Sequence, residues 1–286
     1  SGSLLWAIVE KSTKRVLALS YVETPKITYY NGVEDLLDKL NHCNDINNLC
    51  YACRVFGTVI KKDAVDENVA LKGKVEFFDL HHSGVALISG KALRMDILDA
   101  PEPANAGFYV DKEHNSYDEP GATIRGRKFY WNHSDKQGIK TTEELEKSKI
   151  INASASGEQS SLVKPFLSGN SFIGKVRFKD LSDEELGALL LAFGNENSLH
   201  KLGAGKPLGM GSIKIENIKL NLDSKDKYNS FSNSFIVETE KGSYINSFKE
   251  FMKSSFGKDY SQISFVKEFE SITNKQINFS KENYPT

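Results

Sequence analysis

Cysteine is scarce and unevenly placed: the 286 residues contain three, Cys43, Cys50 and Cys53, all inside one eleven-residue window. That arrangement excludes an extracellular disulfide framework, which spreads an even number of cysteines along the chain. An excess of either charge is also missing, with 37 Lys+Arg against 38 Asp+Glu and a formal net charge of −1. A globally basic nucleic-acid binder is excluded, whereas a locally basic face is not. No apolar run approaches the ~18–20 residues that cross a bilayer. The longest, around residues 186–193, sits in a helical pattern with polar flanks, so no membrane partner is expected. The opening Ser1-Gly2-Ser3 has no basic n-region and reads as a cloning remnant, which points to a cytoplasmic protein.

What is present is the composition of an ordinary folded chain: 39% apolar, 26% charged and 10% aromatic. Collagen-like, mucin-like and wholly disordered chains are thereby excluded. The length suits one large domain or two small ones with ample material for a core.

Two β-rich runs, residues 4–10 and 15–23, flank Lys11-Ser12-Thr13-Lys14 and read as a hairpin. Asn31 can cap a short helix with Leu36, Leu37 and Leu40 on one side, which puts the cysteines on a loop after a helix. GKVEFFDL, residues 73–80, and residues 85–88 are strand-like. Residues 101–165 are rich in Gly, Ser, Asn and Lys and read as a long loop-rich insertion, with a Ser-rich piece at 154–161. Regular pattern resumes at GKVRFKDL, residues 174–181. Ser182 and Glu185 then form a capping box that opens a helix with Leu186, Leu189, Leu190 and Phe193 on one face. A glycine-rich loop leads into an alternating strand at 212–218. Two amphipathic helices, at 243–256 and 262–273, follow as a C-terminal extension. GKVEFFDL and GKVRFKDL differ at two of eight positions and lie about 101 residues apart. Such an echo predicts two similar strands in a pseudo-symmetric α+β domain, with chance as the alternative.

Three constellations can carry chemistry. Cys43, Cys50 and Cys53 offer three thiolate ligands, and the C-x2-C end has the spacing that wraps a tetrahedral ion. A structural zinc is expected there. His42 is the nearest fourth ligand, and His81 and His82 are further candidates; reduced buried thiols and a redox pair are the alternatives. Between residues 121 and 140, Arg125, Arg127, Lys128, Lys136 and Lys140 stand against one acid, Asp135, with Phe129, Tyr130 and Trp131 interleaved. Cations track phosphates while rings stack on bases, so this mixture suits single-stranded nucleic acid. The competing reading turns Phe129 and Trp131 into a core. Residues 201–212, KLGAGKPLGMGS, carry Lys201, Gly203, Gly205, Lys206, Gly209 and Gly211. Their backbone amides can approach an anion closely. A Walker A loop is excluded, since His200 and Pro207 stand where glycine and Ser/Thr are required. RNA backbone and a plain tight turn both remain as readings. Asp79, His81, His82, Asp96 and Asp99 make no recognisable catalytic arrangement.

Taken in order, the cysteines running into CRVFG (53–57), GKVEFFDL, GRKFYW (126–131), GKVRFKDL, ELGALLLAF (185–193) and HKLGAGKPLGMGSIKI (200–215) resemble the CRISPR-associated RAMP superfamily. Those proteins form the backbone of type III RNA-targeting effector complexes. The similarity covers about residues 30–220. It implies a ferredoxin-like, RRM-related α+β fold over residues 1–220, with a zinc loop at 42–57, the insertion at about 101–165, and a helical extension at 221–286. It also implies that the glycine-rich loop contacts guide-RNA backbone and that Cys43, Cys50 and Cys53 hold zinc. RNA binding at Arg125, Arg127, Lys128, Tyr130 and Trp131 gains weight from it.

Family members usually begin with a further half-domain that holds the candidate catalytic aspartate. No counterpart is legible, so the chain reads as a C-terminal portion to which no catalytic residue carries over. The expected function is an RNA-binding subunit that grips guide and target RNA beside other CRISPR effector subunits in antiviral defence. An endoribonuclease completed by a partner chain and a zinc-stapled protein scaffold are the alternatives.

Overall fold

The computed structural model describes residues 5–21, 29–37, 41–60, 69–90, 92–95, 97–98, 100–130, 132, 161–194, 198–208, 210–224 and 236–273. Leu40, Asp96, Asp99, Trp131, Asp135, Lys136, Lys140, Gly209 and most of the Ser-rich piece lie outside them. The chain is a mixed α+β protein that divides into two compact units, one made of residues 1–42 and 99–128, the other of 43–98 and 129–286. Among the described residues the strands pair as seven two-stranded ladders, all antiparallel.

In the first unit the expected hairpin forms from β1 (Trp6–Val9) and β2 (Val16–Ser20), with Trp6 opposite Ser20 and Ala7 opposite Leu19. The Asn31-capped helix does not form. A single 3-10 turn, Glu34–Leu36, starts from Val33 without a side-chain cap. Asn31 is engaged elsewhere: its amide donates to Asp118 Oδ1 at 2.8 Å, and its side chain donates to the Tyr117 carbonyl at 3.4 Å. Residues 101–128 were expected within the loop-rich insertion, yet they supply this unit's core. Ala106, Val110 and Tyr117 are buried there against Tyr29, Val33, Leu36 and Tyr109. Tyr29 and Tyr117 meet edge to face at 4.9 Å.

The second unit begins with α1 (Tyr51–Phe56), which Gly57 ends at φ 83. There follow β3 (Thr58–Ile60) paired with β4 (Val69–Leu71), β5 (Val75–Phe77), β6 (His81–Ser83), β7 (Leu93–Arg94), β8 (Leu162–Val163), β9 (Ser171–Ile173) and β10 (Val176–Phe178). β6 pairs with β9 and β7 with β8. Residues 85–88 supply only an isolated bridge, Ile88 to Phe166, rather than a strand.

The two echoed segments pair with each other. Val176 faces Phe77, Arg177 faces Glu76 and Phe178 faces Val75, so a local two-fold passes through the central pair. One of the two positions at which the copies differ, 76 and 177, is the one on that axis. There Arg177 Nε donates to Glu76 Oε2 at 3.1 Å. The other divergent position puts Phe78 under the Arg177 guanidinium, 5.3 Å from the ring centroid.

α2 (Asp183–Ala192) opens on the expected capping box: Ser182 Oγ accepts from the Glu185 amide, and the Glu185 carboxylate accepts from the Ser182 amide. Its Leu186 and Leu190 pack with Leu220, Phe178 and Leu181. β11 (His200–Lys201) and β12 (Ser212–Ile213) bracket the glycine-rich loop. The strand expected through residue 218 stops at 213, and the left-handed φ of 52 at Asn217 is incompatible with its continuation. β13 (Leu220–Asp223) pairs with β14 (Ile236–Thr239).

The C-terminal helices, α3 (Gly242–Phe256) and α4 (Ser264–Thr273), pack on this unit. Tyr244 and Ile245 join the Leu186 cluster, and a Cβ on Gly187 would meet the Tyr244 carbonyl at 2.1 Å, so only glycine permits that crossing.

Candidate functional site

The cysteines do not all lie on a loop after a helix. Cys50 is the N-cap of α1 and Cys53 lies in its first turn, while Cys43 approaches from the preceding loop. This geometry follows from C-x2-C at a helix start, where the turn brings residues three apart onto one side. The three Sγ atoms lie within 4.8 Å of one another. Zn–S bonds of about 2.3 Å set tetrahedral corners about 3.8 Å apart, so the thiols fit three corners of such a site.

Backbone amides point at sulfur, as thiolates require: the Cys50 amide donates to Cys43 Sγ at 3.2 Å. The Cys53 amide bonded to Cys50 sulfur lowers the Cys50 thiol's pKa, against a smaller opposing effect of burial. Burial, with added effects from Cys50 and Cys43, pushes the Cys53 thiol up. Cys50 is thus the thiol poised to ionise ahead of Cys53.

Among the described residues the ligand group consists of these three cysteines. His82 does not join it: its Nε2 lies 2.8 Å from Asn170 Oδ1 and its ring packs on Phe166 and Phe172. His81, on β6, is exposed and also outside the group. The His42 ring has Nδ1 3.1 Å from Asn41 Oδ1.

α1 is fastened by a carboxylate that the sequence marks only as a capping residue. Glu185 is fully buried, with Oε1 2.8 Å from Arg54 Nε and Oε2 2.8 Å from Lys74 Nζ. Nothing local to residue 185 reveals these two cations, which arrive from α1 and from the first echoed segment.

The glycine-rich loop is a closed turn built on left-handed backbone. Gly203, Gly205 and Gly211 have φ of 82, 74 and 75. A Cβ on Gly211 would lie 2.0 Å from the Leu202 carbonyl, whereas Gly203 faces open space. The Leu208 and Met210 amides turn inward to the Gly205 carbonyl at 3.0 and 3.1 Å. Lys201 is half-buried and donates from Nζ to the Met210 carbonyl at 3.0 Å; burial lowers its pKa to about 8.

The basic–aromatic island divides between the two units, ending one at Lys128 and resuming the other at Phe129. Arg125 braces its own unit: Nε donates to the Val110 carbonyl and Nη2 to the Gly107 carbonyl, both at 3.0 Å. Arg127 and Lys128 are exposed. In the second unit Lys206 Nζ stands 5.7 Å from the centroid of the Tyr130 ring. Asn132, buried, donates to the Leu199 carbonyl at 3.0 Å. The end of the island and the glycine-rich loop are therefore neighbours, a juxtaposition that no spacing in the sequence discloses.

Asp79 is exposed. A polar cage in the first unit also went unread: Asp111 Oδ1 meets His114 Nδ1 at 2.7 Å, and its Oδ2 accepts from the Thr123 amide and hydroxyl at 2.9 Å. No protein-family model matches the chain, and no curated protein matches it.

Proposed function

We propose that the chain is an RNA-binding subunit of the CRISPR-associated RAMP kind, gripping guide and target RNA beside other effector subunits in the cytoplasm, on a ferredoxin-like core. The observation that carries this reading is the meeting of Lys206 with the Tyr130 ring at the glycine-rich loop. A cation for phosphate, a ring for a base and an open glycine at 203 are what a single strand engages together. Arg127, Lys128 and Trp131 are further RNA contacts in this reading on the strength of the sequence pattern, and Arg125 braces its own unit. Cys43, Cys50 and Cys53 hold a structural zinc. The ion closes the loop onto α1 and performs no chemistry on the RNA.

The test is direct. The chain purified with its native neighbours should carry short RNAs with a repeat-derived tag, and in filter binding Tyr130→Ala should weaken retention by roughly 5- to 150-fold, the span of one base stack. Lys206→Gln should lower the salt slope by about 0.7. RNA-free protein from a preparation whose neighbours carry RNA defeats the reading. Metal analysis should find one zinc per chain, and Cys50→Ser should lower both metal content and melting temperature. Metal-free protein of equal stability removes the zinc.

A further inference from the structure

We propose that Phe56 and Phe77 form a second base-stacking subsite for single-stranded RNA, continuous with the glycine-rich loop; the proposal rests on the RNA-binding reading above. The two rings are 54% and 58% exposed, lie within 23° of parallel, and have centroids 6.3 Å apart.

Folding alone does not demand this exposure. Phe178 is the echo counterpart of Phe77, and it packs on the Leu186 cluster while Phe77 stays outside that core. Rigid backbone holds both rings. Phe56 is the last residue of α1, where a Cβ on Gly57 would lie 2.5 Å from the Leu71 carbonyl and one on Gly73 would lie 2.7 Å from the Phe56 carbonyl. Phe77 is fixed by its ladder with β10 and by an edge contact to Phe193 at 6.4 Å. Rings fixed before binding lose little freedom on contact, which favours stacking.

The segments that bear the rings also bear cations: Arg54 on α1, and Lys72 and Lys74 ahead of β5. Arg54 and Lys74 share the buried carboxylate of Glu185, Glu184 lies near Arg54, and Glu76 pairs with Arg177, which leaves exposed Lys72 as the cation of these segments not balanced by a named acid. Exposed, nearly parallel rings on segments that also carry Lys72 suit bases on a phosphate backbone better than an apolar protein face. The path to the loop is short, because the Phe193 carbonyl lies 2.7 Å from His200 Nε2, and His200 begins β11.

The experiment is fluorescence anisotropy on the full chain with a labelled unstructured single-stranded RNA of about 16 nucleotides. The double variant Phe56→Leu, Phe77→Leu keeps apolar bulk and removes the planar faces. It should melt as the wild type does and bind at least tenfold more weakly. Phe77→Trp should retain affinity, and RNA should quench more indole emission from it than from the wild type, whose Trp6 and Trp131 set the baseline. If the leucine variant binds like wild type while Lys206→Gln binds weakly, the subsite is refuted and the RNA-binding reading stands. If the wild type fails to bind the probe, both fall together.

Discussion

Replacing Glu185 with Gln tests how α1 is held. Gln at the third helical position preserves the capping box, so the change removes charge from a site where the carboxylate is completely buried. Losing one partner of a buried ion pair costs about 3–5 kcal/mol. Here the cations keep part of their hydration, with side-chain exposures of 44% for Arg54 and 27% for Lys74, which places the loss near the lower end, at about 3 kcal/mol. In a unit of this size that corresponds to a fall of about 6–12 °C in melting temperature, read by circular dichroism.

The pH dependence supplies a second signature. Burial raises the Glu185 pKa, but the Lys74 hydrogen bond, the Ser182 amide and the Arg54 and Lys74 charges outweigh it and hold the carboxyl below its ordinary 4.5. Its contribution is therefore fully present above pH 4.5 and is lost as pH falls through the depressed value. The Gln variant should lack this part of the acid limb. A shift of under about 0.5 kcal/mol, with an unchanged acid profile, refutes the argument.

The glycine-rich loop predicts a contrast: Gly203→Ala, facing open space, should cost about 1–2 kcal/mol for its left-handed backbone, and Gly211→Ala should cost clearly more because its Cβ meets the Leu202 carbonyl. Equal melting temperatures for the two variants contradict that geometry. In the first unit the hydrogen bond to Asp111 raises the His114 pKa above 6.5, and the bond to His114, followed by the Thr123 amide, lowers that of Asp111 below 3.8. Their mutual support is complete between pH 3.8 and 6.5, fades above as His114 deprotonates and fades below as Asp111 protonates. The His114 ring resonances should titrate above 6.5 and return toward it in Asp111→Asn; a wild-type midpoint at or below 6.5 overturns the pairing.

Local signals were legible where the chain satisfies itself nearby. Ser182 and Glu185 are three residues apart and cap as read, and the amphipathic stripe ending at Phe256 gives α3 within one residue of its expected start. Signals failed where a distant group competes. Asn31 has the chemistry of a cap, but Asp118 takes its amide from 87 residues away. Arg125 looks like a phosphate ligand, but two of its donors go to backbone carbonyls. Of the candidate site, the three-cysteine cluster follows from spacing, whereas the approach of Lys206 to Tyr130 depends on tertiary folding of segments more than seventy positions apart.

The local two-fold between the echoed strands has a consequence for self-association. A residue on such an axis always faces its own counterpart, so identical copies would set Glu against Glu or Arg against Arg, and like charges directly opposed repel. Because position 76 is acidic and 177 basic, β5 matches β10 and mismatches a second β5. Two molecules that met β5 to β5 would face charge repulsion at the centre of the ladder, so the divergence of one residue selects the pairing of unlike copies over that of like ones.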